Sequence, residues 1–214
     1  MRLPKISIYE PVEESVYNIG EVQEKPYPEG YEEREKYIKK VESLIRNSYE
    51  YREYIQFLKD EINLDRCLVL SGLSVDDVSI ELHHSFLTLY DIVEIVLTKR
   101  ETHNEVITPF EIANEVTRLH YQGLVMLTPL SITIHQLVHN GDIFIPIQLQ
   151  YGDYEEFIKR YKRYISKDLH TKIQKFLELS ETFEKDIRLP IIHRKLTYLN
   201  IDGVSLPKKI KKEE

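Results

Sequence analysis

From about Tyr31, apolar side chains recur at Tyr37, Val41, Leu44, Ile45, Tyr49, Tyr51, Ile55 and Phe57, a three-to-four spacing that predicts long helix, broken near Asn47 and ending before Asn63. The period then changes. The segments CLVLS and VSIELHH are rich in β-branched and alternating residues and are separated by the turn-like GLSVDD, so the pattern predicts a β-hairpin. Leu89, Ile92, Val93, Val96 and Leu97 restore a helical stripe. Thr108-Pro109-Phe110-Glu111 supplies an N-cap, a proline at the first helical position and an early acid for a second helix to about Tyr121. The short apolar segment GLVMLTPL leads to Ser131, which can cap a helix carrying ITIHQLVHN, and Asn140-Gly141 stops that helix. IFIPIQLQ reads as extended, held to a sheet edge by Pro146, and two further helices are predicted between Asp153 and about Ile187.

The ends differ from this middle. Residues 1–30 contain Pro4, Pro11, Pro26 and Pro28 with no helical period and read as an extended arm, while the C-terminus is a proline-delimited tail ending KKIKKEE. The resulting division is an arm (1–30), a helical segment (31–66), a central unit (67–146) and C-terminal helices with a basic tail (147–214). The whole is a mostly helical α+β chain.

Composition narrows the chemistry. The 214 residues are 42% hydrophobic and 30% charged, which places the chain among ordinary globular proteins. With Cys67 as the one cysteine no intrachain disulfide can form, so a reducing cytoplasm is the expected setting. No apolar run reaches the roughly 18 residues needed to cross a bilayer, and the start lacks the apolar stretch of a secretory signal, so no membrane partner is expected. A net charge of −7 argues against nucleic-acid binding by bulk electrostatics, but the charge is uneven. Residues 67–140 carry 3 basic against 9 acidic side chains, and residues 141–214 carry 15 against 12. Six of the eight histidines fall in that acidic middle, an environment suited to a cation.

His135 and His139 lie four apart on a predicted helix, so both rings leave one face and can close on one ion. His83 and His84 end an alternating segment and therefore point to opposite sides of an extended strand. With Glu81-Leu82-His83-His84 on the strand and Thr128-Pro129 followed by His135 to Gly141 on the helix, the sequence resembles the HNH, or ββα-metal, nucleases, closest to the colicin-type domains. The resemblance implies a ββα-metal core in residues 67–146, interrupted by a two-helix insertion at 86–121. It implies His83, His135 and His139 as ligands of a divalent ion (Mg²⁺, Mn²⁺, Ni²⁺ or Zn²⁺), His84 as the general base, and Glu81 as a supporting carboxylate. DNA phosphodiester hydrolysis would be the activity and DNA the partner. The family's middle asparagine falls near Gly123, and Asn104, Asn114 and Gln122 do not fit the motif in register.

Lys159, Arg160, Lys162 and Arg163, interleaved with Tyr161 and Tyr164, form a basic helix patch able to grip phosphates, although a solvated helix face has the same appearance. Lys208, Lys209, Lys211 and Lys212 could meet nucleic acid or an acidic protein surface. His103, His120, His170 and His193 have no partner by spacing and read as structural, and Cys67 reads as a small core residue. The general character of the chain also resembles uncharacterised proteins of large bacteriophages. That supports the alternative to a nuclease: a catalytically inactive assembly, virion or accessory protein that works through other phage proteins, located in the virion or the host cytoplasm. A transcription accessory factor is a third class.

Overall fold

A computed structural model describes residues 30–70 and 72–182 together with the backbone of 191–192. Residues 1–29 of the N-terminal arm, His193 and the four tail lysines lie outside the described residues. The helical segment forms α1 (Tyr31–Asn47) and α2 (Tyr49–Asp60), and the break falls at Ser48. Extended backbone at Ser48 ends the first helix, and its hydroxyl accepts from the Tyr51 amide to start the second. Two further helices follow, α3 (Leu89–Thr102) and α4 (Pro109–Tyr121). Thr88 and Asp91 form a reciprocal capping box at the start of α3. Thr108 caps α4 ahead of Pro109, whose missing N–H costs nothing at a first helical position.

α1, α3 and α4 pack on one another around Ile38, Val41 and Ile45, with Ile92, Val93, Val96 and Leu97 facing Ile112, Val116 and Leu119. α3 turns a broad apolar face, Leu89, Ile92, Val93, Ile95, Val96 and Leu97, into this core. At its exposed end, Lys99 and Arg100 donate to Glu115 at 2.8 and 2.9 Å, and Tyr161 donates to the same carboxylate at 3.0 Å. Burial alone would raise the Glu115 carboxyl. The hydrogen bonds from Lys99 and Tyr161, with the Arg100 charge, hold it below the ordinary carboxylate range.

The hairpin expected from CLVLS and VSIELHH does not form. β1 (Ile80–His83) pairs antiparallel with β2 (Thr128–Ser131), in the register Ile80↔Ser131, Glu81↔Leu130, Leu82↔Pro129 and His83↔Thr128. Residues 67–70 instead turn back on themselves: the Cys67 amide donates to the Leu73 carbonyl, and the Leu68 amide reaches the Pro129 carbonyl. The physical reason is that β1 finds a better-buried partner than its own neighbour, since all four residues of β2 are buried. A second apolar cluster of Cys67, Val69, Leu70, Ile80, Leu130, Ile134, Ile143 and Ile145 backs this small sheet.

α5 (Ile132–His139) leaves β2 directly, with Asn140 and Gly141 closing it, the latter at φ +75°. β3 (Ile143–Phe144) is shorter than the extended run expected from IFIPIQLQ and pairs with β4 (Ile191–Ile192), while Ile147–Leu149 forms a 3₁₀ turn. α6 (Tyr154–Tyr161), a 3₁₀ turn at Lys162–Tyr164 and α7 (Lys167–Glu181) complete the described chain. The described architecture is mostly helical α+β with small sheets.

Candidate functional site

The period of two along β1 puts Glu81 and His83 on one face, and the register places Thr128 beside His83 on that same face. The four-residue spacing on α5 brings His135 and His139 above them. Their ligating nitrogens and that of His83 all lie within 4.8 Å of one another. The His83 ring centre is 4.6 Å from that of His135 and 4.8 Å from that of His139. His135 Nε2 and His139 Nε2 are 3.0 Å apart, while His135 Nδ1 bonds the Glu81 carboxylate.

The three rings sit at different depths: His83 is buried, His135 half-buried and His139 exposed. Burial, with His135 and His139 alongside, pushes His83 down to about 3, and burial also lowers His139. His83 is therefore neutral at physiological pH and offers a lone pair. Thr128 is fully buried, and its hydroxyl has no hydrogen-bond partner among the described residues.

His84 leaves the strand on the opposite side. It is buried, and its Nε2 lies 3.0 Å from Nε2 of His120 on α4. His120 donates from Nδ1 to the Val116 carbonyl, so its Nε2 accepts and His84 is the donor. Burial drives His120 down to about 4 and His84 well below its ordinary range, in the latter case with His120 adding to the effect. The pair is a neutral hydrogen bond in the core, flanked edge-on by Tyr51 and Tyr54. The imidazole expected to act as a base thus faces away from the three-histidine cluster and is closed to water. His120, read from sequence as structural and without a partner by spacing, supplies its partner across 36 residues.

Gly123 lies at φ +68° in the turn after α4, with the Tyr151 hydroxyl 3.9 Å from the position a Cβ would take. In the basic patch, Lys159 and Arg160 both pair with Glu156, at 3.2 and 2.7 Å, and Arg160 also reaches Gln122. Two of its four cations are thus engaged on their own helix. Lys162 and Arg163 are exposed on the 3₁₀ turn. Among the described residues no helix is long and apolar enough to cross a membrane.

Sequence reasoning grouped the three clustered histidines with Glu81 and named Thr128 only as part of the motif; the position of Thr128 beside His83 depends on the β1–β2 register. The alternation that separated His83 from His84 could not show what His84 would meet.

The family model described as "Bacteriophage G278-like virion protein" matches residues 9–203. No curated protein and no solved structure matched the chain. The match covers nearly the whole length, so the chain belongs to that family of phage virion proteins. This overturns the resemblance to HNH nucleases, together with the nuclease and hydrolase activity inferred from it. The short ExHH and HxxxH motifs fix only local spacing, and the same spacings arise here in a chain of a different family. DNA, the partner expected from that resemblance, has no support from the match. The phage character of the sequence stands.

Proposed function

We propose that this member of the bacteriophage G278-like virion family is an assembly or accessory component of the phage particle, acting through contacts with other virion proteins. The match over residues 9–203 carries the reading. That span takes in the helical body and continues past it on both sides, into the proline-containing arm and beyond α7. The unit that the family model covers is therefore body and flanks together. The body has the character of a scaffold: its apolar residues close on one another across α1, α3 and α4, and its most buried titratable pair, His84 with His120, is satisfied internally.

The test is proteomic and genetic. Density-purified particles should contain the chain at a fixed copy number relative to the major capsid protein, and particles from a deletion phage should lack it and show an assembly or infectivity defect. Chemical cross-linking of intact particles should join it to virion proteins. A chain found in infected cells but missing from assembling and mature particles would overturn the proposal.

A further inference from the structure

We propose that His83, His135 and His139 form a binding site for a transition-metal dication of the Zn²⁺ class, with Glu81 as the carboxylate that orients His135 and the ion tying α5 to β1. The inference is independent of the virion reading, because it rests on side-chain geometry alone.

Three observations converge. The donor set is three imidazoles whose ligating nitrogens lie within 4.8 Å of one another. An ion about 2.1 Å from each nitrogen would set them roughly 3.4 Å apart in a tetrahedral site, so closure asks for side-chain movements of about 1 Å. His135 and His139, at 3.0 Å, are already near that separation.

Glu81 is the second observation. Its carboxylate accepts from His135 Nδ1, which fixes the tautomer with the proton on Nδ1 and turns the Nε2 lone pair toward the other two rings. A carboxylate behind a histidine is the arrangement that orients a metal-bound imidazole and strengthens it as a donor. Without an ion, His139 Nε2 donates to His135 Nε2 and the pair is satisfied. With one, the His139 proton moves to Nδ1, which the exposed position of that ring leaves in reach of water.

The third observation is polar and buried. On the strand face that carries His83, the fully buried Thr128 hydroxyl has no hydrogen-bond partner among the described residues. An unpartnered hydroxyl in a dry core is costly unless something organises the groups around it. Nitrogen donors also select the metal: imidazole suits Zn²⁺, Ni²⁺ and Cu²⁺, whereas Mg²⁺ and Mn²⁺ prefer oxygen. The exposed side of the site, at His139, leaves the fourth position to water.

α5 is the element that gains. It has eight residues, no side-chain bond at its N-cap and Ile134 as its one buried residue, so its packing alone holds it weakly.

The full chain, stripped with a chelator, is titrated with Zn²⁺ by calorimetry and with Co²⁺ by visible absorption. The expected results are one ion per chain and the intense visible bands of a four-coordinate Co²⁺ site. His139→Ala, at an exposed position that the fold tolerates, should abolish high-affinity binding with an unchanged circular dichroism spectrum. Glu81→Gln should retain the ligands and weaken binding by about 10–100-fold. His170→Ala, remote and exposed on α7, should bind as the wild type. No saturable uptake by the wild type, or uptake that survives His139→Ala, overturns the site. Equal affinity in Glu81→Gln and wild type overturns the role given to Glu81.

Discussion

Replacing Gly152 with alanine tests how tightly the chain is strapped ahead of α6. Gly152 adopts φ +132°, where an L side chain is strained. A Cβ there would lie 2.6 Å from the Val125 carbonyl oxygen, 2.8 Å from Met126 Sδ and 3.0 Å from the Val125 carbonyl carbon. Met126 can swing aside, but the Val125 backbone cannot. Leu127 and Tyr151 exchange backbone hydrogen bonds of 2.8 and 2.9 Å, and the Asp153 amide donates to the Gly123 carbonyl at 2.8 Å, so the two segments separate only by breaking this set. Backbone strain costs about 1–3 kcal/mol, and forced overpacking adds about 1–3 kcal/mol. A total of about 2–6 kcal/mol is a large part of the roughly 5–15 kcal/mol that holds a domain folded. At roughly 2–4 °C per kcal/mol for a chain of this size, the melting temperature should fall by roughly 4–24 °C. Equilibrium urea unfolding of the full chain, with the slope m unchanged, measures it. Gly141→Ala is the control: its φ is +75° but nothing lies within 4 Å of the new Cβ, so it should cost only about 1–2 kcal/mol. A Gly152→Ala protein within about 0.5 kcal/mol of wild type, or one no less stable than Gly141→Ala, would refute the steric argument.

Three other outcomes follow from single interactions. Glu115→Gln should destabilise at neutral pH by roughly 1–3 kcal/mol, because Lys99 and Arg100 lose a half-buried carboxylate. The folded carboxyl is held below its unfolded value, so its contribution is present above the unfolded value and lost as pH falls through the folded one; the gap between wild type and variant should therefore shrink in acid unfolding curves. Thr88→Ala removes half of the capping box on α3 and should cost about 1 kcal/mol in urea unfolding, whereas an unchanged midpoint would show the cap to be dispensable. Cys67, 1% exposed, should resist a water-soluble thiol reagent in the native protein and react fully in denaturant; rapid native labelling would place it at the surface.

Local pattern was enough for the helices and for part of the cluster. Thr108-Pro109 marks the start of α4 because a hydroxyl satisfies an orphan amide and proline has none to satisfy. The break near Asn47 and the stop at Asn140-Gly141 are likewise read from neighbours in sequence, and the four-residue step from His135 to His139 brings the rings together by helix geometry alone. The strand period separates His83 from His84 in the same way. Beyond about five residues the pattern carries no such information. β1 pairs not with the segment expected from GLSVDD but with β2, two helices away, because nearly every residue offers the same backbone groups and strand pairing is chosen by which surfaces are buried together. That pairing sets Thr128 beside His83, the packing of α5 on β1 gives His135 to Glu81, and the packing of α4 gives His120 to His84. A local motif could therefore specify which residue types stand at which spacing and still mislead about the family. The partners of His84 and His135 depend on contacts across 36 and 54 residues that only the folded chain brings about.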